Sequence, residues 1–100
     1  MRKITQEASH AFDHEYNYKG SNTQVVDGAL FLFGHKIAEY ESLFKGDGNR
    51  NINITNCGYF TATTKERLNA LEGVHIVQKA GIWYLNGNLW DGSWITIKRN

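Results

Sequence analysis

The apolar positions near the start of the chain, Ile4, Ala8, Ala11 and Phe12, lie three and four apart and predict one narrow buried stripe on a helix. Thr5 stands where its hydroxyl would cap the first free amides, Glu7 favours the positive end of the helix dipole, and the helix is expected to run to about Tyr16. Its other face carries Glu7, His10, Asp13 and His14, so a helix of about a dozen residues must lean on a neighbour to persist. The polar Gly20-Ser21-Asn22 ends it.

From Thr23 the apolar spacing shortens to that of strands. Residues 23–26, the Asp27-Gly28 turn and the apolar run 29–33 predict a hairpin, with the run covered on both faces or central in the sheet. Gly34-His35 suits a second turn, and residues 36–41 alternate well enough for a third strand with one wet face. Residues 45–51 have the composition of a loop, and Ile52 and Ile54 then share one face of a fourth strand. Thr63 and Glu66 have the capping-box spacing, which starts a second helix whose seam is Leu68, Ala70 and Leu71 and whose stop is Gly73. Residues 74–78, 82–85, 88–90 and 94–97 read as strands joined at Ala80-Gly81, Asn86-Gly87 and Asp91-Gly92. The expected architecture is α+β, residues 1–100 as a single domain. It has one antiparallel sheet of about six to eight strands with two short helices packed on one face.

Composition narrows the function classes. The formal net charge is +1, which gives neither the bulk field of a general DNA coater nor that of an acidic DNA mimic. Aromatic residues make up 13% of the chain, enough apolar area for a small core without staples, and the single Cys57 excludes an internal disulfide. No apolar run reaches the ~18 residues that span a bilayer, and the N-terminus lacks a signal-peptide stretch, so a soluble protein of the cytoplasm is expected.

Candidate chemistry is sparse. His10 and His14 lie four apart on one helical face but lack a third metal ligand, so two solvated histidines are expected and no metal. Cys57 has no local histidine signature of a nucleophile, and a buried thiol is expected. Glycine spacing offers no phosphate cradle. Neither catalytic residues nor a cofactor are therefore expected. Lys65, Arg67 and Asn69 on the second helix, with Tyr84, Trp90 and Trp94 from the aromatic C-terminal strands, form the candidate partner-binding set, because arginine and large aromatics supply binding hot spots. Residues 82–85 alternate, placing Trp83 and Leu85 on one face and Ile82 and Tyr84 on the other.

Residues 63–71 (TTKERLNAL), Gly73-Val74, residues 83–87 (WYLNG) and Trp90-Asp91-Gly92, with Ser21-Asn22-Thr23 ahead of them and Asn56-Cys57-Gly58-Tyr59 between, resemble a group of small phage-encoded proteins of unknown function. The pattern departs from that group at Glu72, where proline is common, and at Leu89, where a charge is usual. The resemblance implies a viral accessory protein that binds and blocks a host protein or ribonucleoprotein, a defence complex such as a CRISPR effector included. Nucleic acid is the second candidate partner, with bases stacked on sheet aromatics and phosphates held by Lys36, Lys65, Arg67, Lys79 and Lys98. The last strand, as an exposed edge, is also placed to pair with a second copy in a homodimer.

Overall fold

The structure is a computed structural model that describes residues 2–42 and 48–99. The first helix, α1 (Lys3–Asp13), buries Thr5, Ala8, Ala11 and Phe12: the expected stripe gains Thr5 and leaves Ile4 only half-buried. Thr5 does not cap; the N-cap is Arg2, and the Thr5 hydroxyl turns inward. The helix also stops three residues before Tyr16, because Glu15 adopts a left-handed φ of 58°. The Tyr16 amide then bonds the Ala11 carbonyl at 3.0 Å and the Glu15 amide bonds that of Phe12 at 3.4 Å, the pairing of a Schellman stop.

A short strand, β1 (Tyr18–Lys19), opens a meander of β2 (Thr23–Val26), β3 (Ala29–Leu32), β4 (His35–Tyr40) and β5 (Ile52–Ile54). The last strand, β9 (Ile95–Ile97), joins β5, so the sheet order is β1-β2-β3-β4-β5-β9, antiparallel throughout. Between β5 and β9 the chain makes α2 (Ala62–Asn69) and a separate sheet of β6 (Ile76–Lys79), β7 (Ile82–Leu85) and β8 (Asn88–Leu89). The α+β class and the antiparallel pairing are as expected. The single sheet is not: the strands divide into a sheet of six and a sheet of three. Nor do both helices lie on one face of one sheet, since α1 packs on β2 and β3 while α2 packs on β6 and α1. The expected loop at 45–51 falls partly on residues 43–47, which lie outside the described residues; residues 48–50 are irregular.

Turn chemistry sets the registers. Asp27-Gly28, Phe33-Gly34, Ala80-Gly81 and Asn86-Gly87 all have positive φ at both positions, as two-residue hairpin turns demand to match strand twist. The second turn is therefore at Phe33-Gly34 rather than Gly34-His35, which takes Phe33 out of β3 and exposes it. The second helix is capped by Thr61, whose Oγ1 accepts from the Thr64 amide at 3.2 Å; Thr63 and Glu66 do not form the cap.

One apolar cluster spans both sheets, from Phe12, Leu30 and Ile54 to Leu68, Trp83 and Leu85. Phe12 stacks on Tyr40 with ring centroids 4.7 Å apart, and the Tyr40 hydroxyl donates to the Phe12 carbonyl at 2.8 Å. Gly92 ties the small sheet's exit to the end of β5. Its carbonyl accepts from the Thr55 hydroxyl at 2.6 Å and the Asn56 amide at 3.0 Å, and its φ of 89° with the Asn56 side chain against its Cα leaves no room for a Cβ.

Candidate functional site

The six residues expected to bind a partner do not form one surface. Arg67 is 1% exposed. Its Nε donates to Thr23 Oγ1 at 2.9 Å, Nη1 to Thr5 Oγ1 at 2.6 Å and Glu66 Oε1 at 2.8 Å, and Nη2 to Asn22 Oδ1 at 3.3 Å. Burial pushes the guanidinium pKa down, the nearby Arg2 charge adds to this, and Glu66 opposes it. Glu66 is held below the usual carboxylate range, chiefly by the Thr5 hydroxyl, with the Arg2 and Arg67 charges adding and partial burial opposing. Arg67 is thus an interior joint between α2, α1 and the start of β2, and its expected place on the binding surface is corrected.

Trp90 is likewise interior, with Nε1 bonded to the Ser93 carbonyl at 2.9 Å. Asn69 is exposed at one side but spends its amide on the sheet, donating to the Ile76 carbonyl at 3.1 Å and accepting from the Ile76 amide at 2.6 Å. Lys65 reaches Gln78 Oε1 at 3.0 Å, and Tyr84 is half-buried on the outer face of the small sheet opposite Leu89. Trp94 stands out at 50% exposure, and of the six only Asn69 is also exposed. The alternation of residues 82–85 is as expected, with Trp83 and Leu85 buried and Ile82 exposed.

A different surface is built from turns. The β3–β4 hairpin supplies Leu32, Phe33, His35 and Ile37, the loop after β5 supplies Asn56 and Tyr59, and Thr61 and Thr64 come from the start of α2; together they enclose a groove of about 300 Å³. Phe33 rises from its rim at 67% exposure. In the lining the Tyr59 hydroxyl lies 3.2 Å from His35 Nε2 with the rings 5.1 Å apart; next along the chain and outside the lining, exposed Phe60 meets the Trp83 ring edge-on at 5.2 Å. Asn56 shapes the loop by accepting from the Gly58 amide at 2.8 Å, while its buried Nδ2 has no hydrogen-bond partner. The surface of the lining is mostly apolar and holds no lysine, arginine or carboxylate, so it suits an apolar side chain rather than a phosphate or a cation. In the sequence its signal was aromatic residues beside turn glycines, Phe33-Gly34 and Gly58-Tyr59-Phe60, a place where aromatics bury little.

Cys57, expected to be buried, is exposed in the same loop at a φ of 56°. The His10 and His14 rings lie 4.2 Å apart with their planes tilted by 51°, beside Tyr16, and among the described residues no three potential ligands gather for a metal. No helix of the described residues is long and apolar enough to cross a membrane.

These features define a small two-sheet α+β protein whose exposed chemistry is aromatic. Residues 1–98 match the model of the Kyanoviridae Gp96 protein family, and the chain belongs to this phage protein family. No curated protein and no solved structure matches the chain at a significant level.

Proposed function

We infer that this phage protein is a non-enzymatic accessory protein that binds a host macromolecule, with the groove between the β3–β4 turn, the Tyr59 loop and the start of α2 as its docking site. The observation that carries this reading is Phe33. It occupies a left-handed turn position that asparagine or glycine fills at lower conformational cost, and it presents an aromatic ring to water. Local rules broken without a gain to the fold mark functional positions. Tyr59 and His35 line the same groove, giving an aromatic anchor around an apolar centre, the composition of a protein-binding hot spot. The resemblance to small phage proteins supplies the target class, a host complex in the host cytoplasm, defence complexes such as CRISPR effectors among them.

The charges favour a protein partner over nucleic acid. Of the five cations assigned to phosphates, Arg67 is buried, Lys36 pairs with Glu39 at 3.1 Å and Lys65 is held by Gln78. Capture from infected-cell lysate with the wild type, Phe33→Asn, Tyr59→Ala and, as a control outside the groove, Trp94→Ala tests the site. Loss of the same saturable partner in the first two variants and its retention in the third is expected. Equal capture by all four proteins would overturn the assignment of the groove.

A further inference from the structure

The two sheets have four edges, and they are not equally protected. In the small sheet, β6 is closed by Asn69, whose side-chain amide takes both the N–H and the C=O of Ile76, and β8 is two residues long. In the large sheet, β1 is also two residues long. The remaining edge is β9, flanked by exposed Trp94 and Lys98 and containing no proline or bulge.

The direction of its backbone groups follows from the neighbouring ladder. Glu41 N–H bonds the Asn51 carbonyl and Thr55 N–H bonds that of Ile37, both at 2.9 Å, so Asn53, midway between, also faces β4 with its backbone. Ile52 and Ile54 therefore bond toward β9 and engage Ile97 and Ile95. Thr96, opposite Asn53 in a non-bonded pair, turns its N–H and C=O to the open side; its hydroxyl meeting Asn53 Oδ1 at 2.6 Å fits the closer side-chain approach of such pairs. Beside β9 lies a groove of about 350 Å³, lined by Leu85, Asn86, Asn88, Leu89 and Trp90 from the small sheet and its exit and by residues 95–98. Leu89, at 73% exposure, and Ile95 leave apolar surface there.

We propose that β9 pairs antiparallel with β9 of a second copy of this chain, about a two-fold axis through Thr96. The argument for a copy is self-complementarity. Centred on Thr96, this register sets Trp94 of each chain opposite Lys98 of the other, an aromatic face against an ammonium, and Ile95 opposite Ile97, apolar against apolar. The symmetry closes the contact after two chains and consumes both open edges. A single strand pair is small beside standard interfaces of about 1,200–2,000 Å², so a reversible dimer with micromolar dissociation is expected. This proposal is independent of the Phe33 groove, which belongs to other elements.

Sedimentation equilibrium on the whole protein across about 1–300 µM tests it, with hydrogen exchange of the Thr96 amide as the local readout. The wild type is expected to dimerise with concentration, its Thr96 amide gaining protection as it does. Thr96→Pro removes the outward N–H and leaves the backbone ladder to β5 intact, losing there only the exposed hydroxyl bond to Asn53 Oδ1. Edge strands tolerate proline, so it is expected to weaken association at least about tenfold with an unchanged circular dichroism spectrum, and Thr96→Val, which loses that hydroxyl alone, to dimerise as the wild type does. Trp94→Lys, which sets like charges opposite each other, is expected to weaken association as Thr96→Pro does, and raised salt to relieve it partly. A chain that stays monomeric over the range, or a dimer that both Thr96→Pro and Trp94→Lys preserve, overturns the proposal. Pairing of β9 with a strand of a different protein alone would appear as the monomeric outcome.

Discussion

At the residue scale, Arg67 shows where chemical type misleads. Among Lys65, Glu66 and Asn69 on a short helix it reads as a solvated cation or a binding anchor, yet Thr23, Asn22 and Thr5 converge on it from 44 to 62 positions away. That convergence is tertiary, and no local pattern encodes it. It also gives the Ser21-Asn22-Thr23 segment and the residue 63–71 segment a structural meaning, since Asn22 and Thr23 are what the helix arginine bonds. Removing one partner of a buried, hydrogen-bonded charge strands the others, so Arg67→Ala is expected to lower stability by about 3–5 kcal/mol in urea unfolding. Lys65→Ala, which loses one exposed hydrogen bond, should change it by less than about 1 kcal/mol. Glu66 supplies the pH dependence. Its folded pKa lies below its unfolded value, so its contribution is complete above about pH 4.3 and fades as pH falls through the folded value. Unfolding midpoints of the wild type should therefore decline below that pH, and Glu66→Gln should flatten part of the decline. Asp91, lowered in the same direction by Ser93, acts in the same sense.

At the element scale, what the sequence made legible was the alternation and two of the three turns written in Asx-Gly; Asp91-Gly92, expected to close a hairpin, instead carries the chain from the small sheet to the large one, and Asp91 lacks the positive φ that such a turn needs. Asp27-Gly28 and Asn86-Gly87 bear φ angles of 48° and 81°, and 50° and 87°, where the residue types demand them. What stayed hidden were left-handed positions filled by other residues: Glu15 ends α1 without a glycine, and Phe33 turns a chain that its hydrophobicity assigns to a strand. The helix cap moved as well: Thr61 and Thr63 offer the same hydroxyl, and Glu66, the expected partner of Thr63, is engaged by Thr5 and Arg67 instead. The Phe33 turn also separates folding from binding. Asparagine tolerates the left-handed region better than phenylalanine, so Phe33→Asn should hold stability or raise it by up to about 1 kcal/mol while abolishing capture. A higher urea midpoint at unchanged slope is the expected record. A loss of more than about 1 kcal/mol would show that the exposed ring stabilises the fold.

At the scale of the whole molecule, strand periodicity specified which neighbours form hairpins but not which sheet each hairpin joins. The chain leaves the large sheet at β5, builds α2 and the small sheet, and returns so that Asn53 faces Thr96. That return is fixed by Gly92 against Asn56 and Thr55, and by Arg99, whose guanidinium lies 5.6 Å above the Tyr40 ring and 3.4 Å from Asp13. The two sheets also share one apolar cluster, with Ile97 of the large sheet and Leu85 of the small one both inside it. Two sheets with separate cores would unfold separately; a shared core and these joints couple them into one cooperative unit. All three tryptophans, Trp83, Trp90 and Trp94, lie in the last third of the chain, whereas α1 and the meander dominate the backbone signal. Tryptophan fluorescence and far-ultraviolet circular dichroism should thus give coincident urea transitions. Gly92→Ala, whose Cβ would strike the Asn56 amide, should move both midpoints down together by a similar amount. A fluorescence transition that precedes the backbone transition in the wild type would mean that the small sheet melts alone, and that the joint at Gly92 positions the two sheets without coupling their stabilities.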